Sequence, residues 1–370
     1  MKVGVPKEIK VHEYRVGMIP GGVREYTERG HDVLIESGAG EGSAIPDDAY
    51  REAGATVVES AEEVWGESDM IVKVKEPVPE EYDLIRDGQI IYTYFHLAAV
   101  PELGEVLLDK NVAAVAYETI QLPDGRLPLL EPMSEVAGRM SIQAGARCLE
   151  REMGGKGILL GGVPGVHQAN VVIVGGGTVG TQAARVAIGM GASVKVLDID
   201  VQRLRYLEDV FENRIQTLHS NPETIQYEVT QADLVIGAVL IPGAKAPHLV
   251  NRSHVASMAP GSVIVDVSVD QGGCIETCEP TTHDNPTYEV DDVVHYCVSN
   301  MPGAVARTST YALNNVTLEY GLQIADEGLE TAVDDEVLRK GVNTYGGAIT
   351  YEAVADSLDE PYTPLEQVIE

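Results

Sequence analysis

A β-branched run, Val171-Val172-Ile173-Val174, leads directly into Gly175-Gly176-Gly177-Thr178-Val179-Gly180. This is G-x-G-x-x-G after a strand, the context that gives the motif physical meaning. Apolar residues at Val179, Ala183, Val186, Ala187 and Met190 continue at helical spacing, so the glycines fall where a buried strand turns into a helix. There, backbone N–H groups and the helix dipole can hold a pyrophosphate, and Gly175, Gly177 and Gly180 are the candidate cradle. The run Ser193–Asp198 ends in an acid eighteen residues beyond Gly180. A carboxylate at Asp198 would accept hydrogen bonds from the ribose hydroxyls and repel a 2′-phosphate, which points to NAD rather than NADP.

The rest of the chain must supply a parallel sheet and its helices. From the start, strand-like and helical patterns alternate: KVGVP, the helical VREYTERG, HDVLIES, a further helical stretch, MIVKVKEP, GQIIYTYFH and NVAAVAYE. Around Pro132 a longer helical stretch follows, with Ser134 placed as its N-cap and Glu135 in its first turn. A second series then runs through ANVVIVGGG, SVKVLDID, ADLVIGAV, SVIVDVS and HYCVSN, which predicts a five-stranded sheet. Residues from about 304 are helical again and can carry the chain back to the first domain. The predicted fold is α/β: two Rossmann-like domains with parallel sheets, joined by long helices, with the active site in the cleft between them. Residues 1–128 with 307–370 form the substrate domain, and 129–306 the NAD-binding domain.

Catalytic groups in open α/β sheets lie beyond the carboxyl ends of strands. Arg15 follows KVGVP, Lys75 ends IVKVK, His96 follows IIYTYF and Asp270 follows VIVDVSV. Arg15 and Lys75 would hold a substrate carboxylate, and His96 would exchange a proton near neutral pH. Each has a plainer reading. Lys73 and Lys75 alternate on one strand face that solvent could cover, His96 could be a satisfied core histidine, and Asp270 could cap a turn before Gly272-Gly273. Cys274, Cys278, His283, His295 and Cys297 match no zinc-ligand spacing, so no metal is expected, and Thr281-Thr282-His283 reads as a loop near the cofactor.

The charge balance narrows the partners. With 58 Asp and Glu against 26 Lys and Arg, the formal charge is −32, which repels nucleic acid and anionic membrane. Residues 157–184 lack any charged side chain, but eight glycines and Pro164 interrupt them, so they are not read as a membrane span. The start, MKVGVPKE, has no apolar core before a cleavage site, which places the protein in the cytoplasm. Four cysteines in 370 residues do not make a disulfide scaffold. An acidic chain with only ten lysines also suits a high-salt cytoplasm.

Over essentially its whole length the sequence resembles alanine dehydrogenase, of the alanine dehydrogenase/pyridine nucleotide transhydrogenase family. The segments that carry the resemblance are VGVPKEIKVHEYRVGMIP, VKVKEP, TYFHLAA, PMSEVAGRMSIQAGA, VVIVGGGTVG, VDVSVDQGGCIET, PTTHDNPTY and VSNMPGAVARTST. The resemblance implies reversible NAD-dependent conversion of L-alanine to pyruvate and ammonia by a homohexamer. It assigns substrate binding to Arg15 and Lys75 and catalysis to His96 and Asp270. Around NAD it places Ser134, Thr178, Val179, Asp198, Arg203, Ser220, Val239, Leu240, Val267, Ser268, Val269, Asp270, Val298, Ser299, Asn300 and Met301. One departure stands out: the family usually carries a basic residue before PTTH, where this chain has Glu279. Alternatives are the soluble NAD-binding module of nicotinamide nucleotide transhydrogenase, a lysine- or saccharopine-type dehydrogenase, or a non-catalytic NAD sensor.

If the acidic surface is adapted to salt, screening of like charges will raise both the thermal midpoint and the degree of assembly from low to molar KCl. Identical melting and sedimentation profiles in the two conditions would leave an ordinary acidic protein.

Overall fold

The computed structural model describes residues 1–239 and 246–369, apart from the side chain of Gln271. The chain divides into two compact units, Met1–Met133 with Gly303–Glu370 and Ser134–Pro302. The sequence reading set these divisions at 128/129 and 306/307.

The first unit is built on an eight-stranded sheet. Its strands are β1 (Lys2–Val5), β2 (Asp32–Glu36), β3 (Thr56–Val58), β4 (Met70–Val72), β5 (Ile90–Thr93), β6 (Ala113–Ala116), β14 (Val342–Tyr345) and β15 (Ala348–Ile349). The spatial order is β15-β14-β6-β5-β4-β1-β2-β3. All pairings from β6 to β3 are parallel, and β14 and β15 add antiparallel. The second unit holds β7 (Asn170–Val174), β8 (Ser193–Asp198), β9 (Gln216–His219), β10 (Leu234–Gly237), β11 (Val263–Asp266), β12 (Thr287–Val290) and β13 (Val293–Tyr296), in the order β12-β13-β11-β10-β7-β8-β9. Among the described residues only β12 is antiparallel there.

Each sheet separates two apolar layers because alternate side chains point to opposite faces. In the first, Tyr92 and Val115 belong to one cluster while Ile91 and Ala114 belong to the other. In the second, Val171 and Ile173 face one way, and Val172 and Val174 the other. This two-sided burial explains the continuous apolar runs that were legible in the sequence. The second sheet has seven strands rather than the predicted five, and the first gains β3, β14 and β15. The missed strands β3, β9 and β12 lie at sheet edges, are half-exposed and lack an unbroken apolar run.

The helix Glu131–Cys148 begins before Ser134, which is therefore a first-turn residue and not the N-cap. Pro132 needs no N–H partner in a first turn, so helix geometry extends upstream of the serine. In both sheets the strand order reverses, between β1 and β4 in the first and between β7 and β10 in the second. Polypeptide loops diverge at such points and leave a crevice.

The helix Ala306–Glu327 packs on the first sheet. Tyr92 donates to Thr317 O at 3.0 Å, and Asn314 accepts the Ile19 N–H at 3.1 Å. A Cβ at Gly321 would collide with Tyr26 Oη, on a side chain that is 1% exposed. Gly321→Ala should therefore destabilise the protein by about 1–3 kcal/mol. Gly66→Ala, in open space within the helix Ala61–Glu67, should be neutral or slightly stabilising. Thermal melts of the two variants check this; equal midpoints would mean the helix is not closely fitted.

Candidate active site

Arg15 lies in the loop after β1, and Lys75 and His96 lie three residues beyond β4 and β5. Since β5, β4 and β1 are neighbours, the three side chains gather at one carboxyl edge beside the strand reversal. Gly17 allows the β1 loop to approach, because a Cβ there would lie 2.6 Å from Val72 O.

Arg15 is buried, with its Nε and Nη2 donating to Glu13 at 2.7 and 2.5 Å and its Nη1 3.1 Å from Met133 Sδ. Burial opposes its charge, but Glu13 more than compensates and raises its pKa. Lys75 is the contrasting case. Burial, followed by the nearby Arg15 charge, lowers its pKa, and among the described residues no group pairs with its Nζ. An anionic ligand would relieve both penalties. Lys73, two residues back, is not on a solvated face: its Nζ is fully buried between Glu81 at 2.8 Å and Glu8 at 3.2 Å.

His96 is not a satisfied core histidine. Its side chain is 40% exposed, its ring stacks on Tyr94 with centroids 5.9 Å apart, and its Nδ1 is 3.9 Å from Glu118. Burial lowers its pKa, Glu118 opposes that, and the Lys75 charge lowers it further. The backbone at His96 is left-handed, with φ 51°. Glu118 holds this turn by accepting the N–H groups of Phe95 at 3.1 Å and His96 at 2.6 Å.

In the second unit, Gly175 has φ 105°, and a Cβ there would lie 2.6 Å from Ala238 O. A Cβ at Gly180 would collide with Gly175 O, so the turn into the helix Thr178–Gly189 requires both glycines. That helix opens at Gly177 with no side-chain cap and no acid in its first turn, leaving donors for a phosphate. Asp198 accepts the Gly176 N–H at 2.7 Å and the Asp200 N–H at 2.8 Å. It thus ties the glycine turn to the end of β8 while its remaining lone pairs suit a ribose diol. Arg203 donates to Gly176 O and, at 2.6 Å, to Thr181 Oγ1. These residues fit a dinucleotide.

The other predicted cofactor residues also follow strand ends. Ser220 follows β9 and is buried, and Val239 lies two residues after β10. Leu240 is outside the described residues. Val267, Ser268, Val269 and Asp270 follow β11; Val298, Ser299, Asn300 and Met301 follow β13. Asp270 is exposed in a short 3-10 turn, where its carboxylate accepts the Asn300 N–H at 3.3 Å. His283 contacts Asn300 O at 3.3 Å. His295 is a core histidine held by Thr277 and Val293 O, and among the described residues no group of three or more His, Cys, Asp or Glu could hold a metal ion. Glu279 is exposed, and its N–H donates to Tyr288 at 2.6 Å.

Sequence reasoning missed the acids that support these groups: Glu8, Glu13, Glu118 and Asp266. Asp266 is fully buried at the end of β11 and accepts from Ser268, Cys274 and Ile275 at 2.9–3.2 Å. An acid inside the apolar VIVDVSV was a readable signal. The others act across long sequence separations or at i, i+2 without periodicity.

The N-terminal and C-terminal domain patterns of alanine dehydrogenase/PNT match residues 4–137 and 141–352. Alanine dehydrogenase of Methanococcus maripaludis is 58% identical over 100% of both chains, and that of Bacillus subtilis 56% identical over 100% of this chain and 98% of its own. A solved L-alanine dehydrogenase superposes with a TM-score of 0.95 at 54% identity, covering 97% of this chain and 99% of that one. A transhydrogenase from Sinorhizobium meliloti superposes at 0.82 with 26% identity, covering 94% and 100%. By sequence over its full length, and by a fold built on the same two domains, this chain belongs to the alanine dehydrogenase/PNT family.

Proposed function

We propose that the chain is an L-alanine dehydrogenase, which reversibly converts L-alanine and NAD to pyruvate, ammonia and NADH. The observation that carries this reading is the gathering of Arg15, a Lys75 with no ion-pair partner among the described residues, and a partly exposed His96 at one carboxyl edge, in a chain that matches alanine dehydrogenases end to end. The first unit is the substrate domain and the second the NAD domain. A transhydrogenase-type module is the weaker reading, since identity falls from 54% to 26% between the two solved structures.

Arg15 and Lys75 hold the alanine carboxylate and fix the orientation of Cα. When bound, NAD would supply the hydride acceptor for that carbon, and loss of the hydride together with an amine proton would leave the substrate as an imine. His96, whose pKa burial lowers against the opposing Glu118 charge, accepts a proton as water adds and returns it as ammonia leaves. Asp270 positions the water or amine. Ser134, Thr178, Val179, Arg203, Ser220, Val239, Leu240, Val267, Ser268, Val269, Val298, Ser299, Asn300 and Met301 complete the surround of the cofactor. A homohexamer, a cytoplasmic location and a salt-adapted surface belong to the same reading, supported by the family resemblance and the charge of −32. No helix among the described residues is long and apolar enough to cross a membrane.

Two variants test the assignments. Asp198→Ala should raise the NADP/NAD ratio of kcat/KM, because it removes the repulsion of a 2′-phosphate; an unchanged ratio means another residue selects the cofactor. His96→Ala should lower kcat by about a hundredfold to ten-thousandfold while NADH affinity and thermal midpoint change little. A well-folded variant with near-normal kcat would defeat the assignment.

A further inference from the structure

We infer that Glu8 is a positioning residue for Lys75, and that it replaces with a side chain the sheet ladder that β4 loses at its carboxyl end. This rests on the reading of Lys75 as a substrate cation. Strand β1 lies beside β4 but ends at Val5, so the N–H groups that follow Lys73 have no strand to bond on that side. Buried N–H groups left without acceptors are costly. The Glu8 carboxylate, on a side chain only 3% exposed, fills the gap: Oε1 accepts the Val74 N–H at 2.6 Å and the Lys75 N–H at 3.1 Å. On the other side, Lys75 O accepts from the Thr93 hydroxyl at 3.0 Å, and Val74 O accepts the Tyr94 N–H at 3.4 Å. The backbone of Lys75 is therefore held from both edges.

The charge of Glu8 has its own partner. Its Oε2 lies 3.2 Å from Lys73 Nζ, which Glu81 also engages at 2.8 Å. Lys73 thus neutralises the carboxylate that fixes Lys75, and the acid near Lys75 is occupied by a different cation. Glu76 and Glu13, the other acids that act on Lys75, are paired with Lys10 and Arg15, so among the described residues the Lys75 ammonium has no carboxylate partner, as a substrate carboxylate requires.

Reach, more than charge, should then be what position 8 supplies. Glu8→Asp keeps the charge but is one methylene short of the two N–H groups. Glu8→Gln keeps the reach and an acceptor oxygen. Glu81→Gln weakens the same buried cation without touching the Lys75 backbone. For Glu8→Asp we expect the KM for alanine and pyruvate to rise about tenfold to a hundredfold with kcat and NADH affinity largely kept, and hydrogen exchange to quicken in a peptide spanning 73–76. Glu8→Gln should keep KM within about threefold, and Glu81→Gln should lower the thermal midpoint without moving KM or that exchange. The inference is overturned if Glu8→Asp exchanges and binds as the parent does, if Glu8→Gln loses affinity while Glu8→Asp keeps it, or if KM merely follows the thermal midpoint across all three. Failure of the parent chain to turn over alanine would instead sink the proposed function, with hydrogen exchange still deciding the role of Glu8.

Discussion

Strand interiors in both sheets are covered by apolar layers on each face, so polar and charged groups are driven to the loops beyond the strand ends or must bring their own partners. The rest of the molecule follows from that constraint. Arg15, Lys75 and His96 emerge beyond β1, β4 and β5, and the glycine turn, Asp198, Ser220, Val239 and the segments 267–270 and 298–301 lie at or beyond the ends of β7, β8, β9, β10, β11 and β13. The order reversals between β1 and β4 and between β7 and β10 then open the edge at the points where those loops lie.

Holding such loops takes more than the sheets provide. The four supporting acids do similar work at different places. Glu13 grips the Arg15 guanidinium, Glu8 caps the Lys75 backbone, Glu118 caps the left-handed turn at His96, and Asp266 gathers the loop after β11. Each places a carboxylate against N–H donors with no strand to bond, and charge-assisted bonds of this kind are the stronger ones. Burying these acids is tolerable because each gains several donors or a cation. Glu8 illustrates the balance: burial pushes its carboxyl pKa up, while Lys73 and the Val74 N–H pull it down.

In a chain with a net charge of −32, Lys75 thus has no ion-pair partner among the described residues. Glu13 pairs with Arg15, Glu8 with Lys73 and Glu76 with Lys10, so among the described residues none of these acids pairs with the Lys75 ammonium, although Glu76 and Glu13 oppose the lowering of its pKa. Burial is the first cause of the lowered pKa values of Lys75 and His96, and a neighbouring positive charge, Arg15 for Lys75 and Lys75 for His96, adds to it. Perturbations of this kind cluster where substrates bind.

The sequence by itself determined the fold class, the glycine turn, Asp198 at the end of β8 and the four polar residues after strands, because buried parallel strands leave continuous apolar runs and a tight turn leaves glycines. It did not reveal β3, β9 and β12, whose half-exposed edges carry no apolar run. It misplaced Ser134, since the helix starts from Glu131 with Pro132 in its first turn. Nor could it show that Lys73 is buried between two acids while Lys75 pairs with none among the described residues, as two lysines two residues apart on a strand look alike. Only the tertiary structure decided that, by bringing Glu8 from beyond β1 and Glu81 from a following helix onto one of them, and contacts set by chain folding leave no periodicity to read.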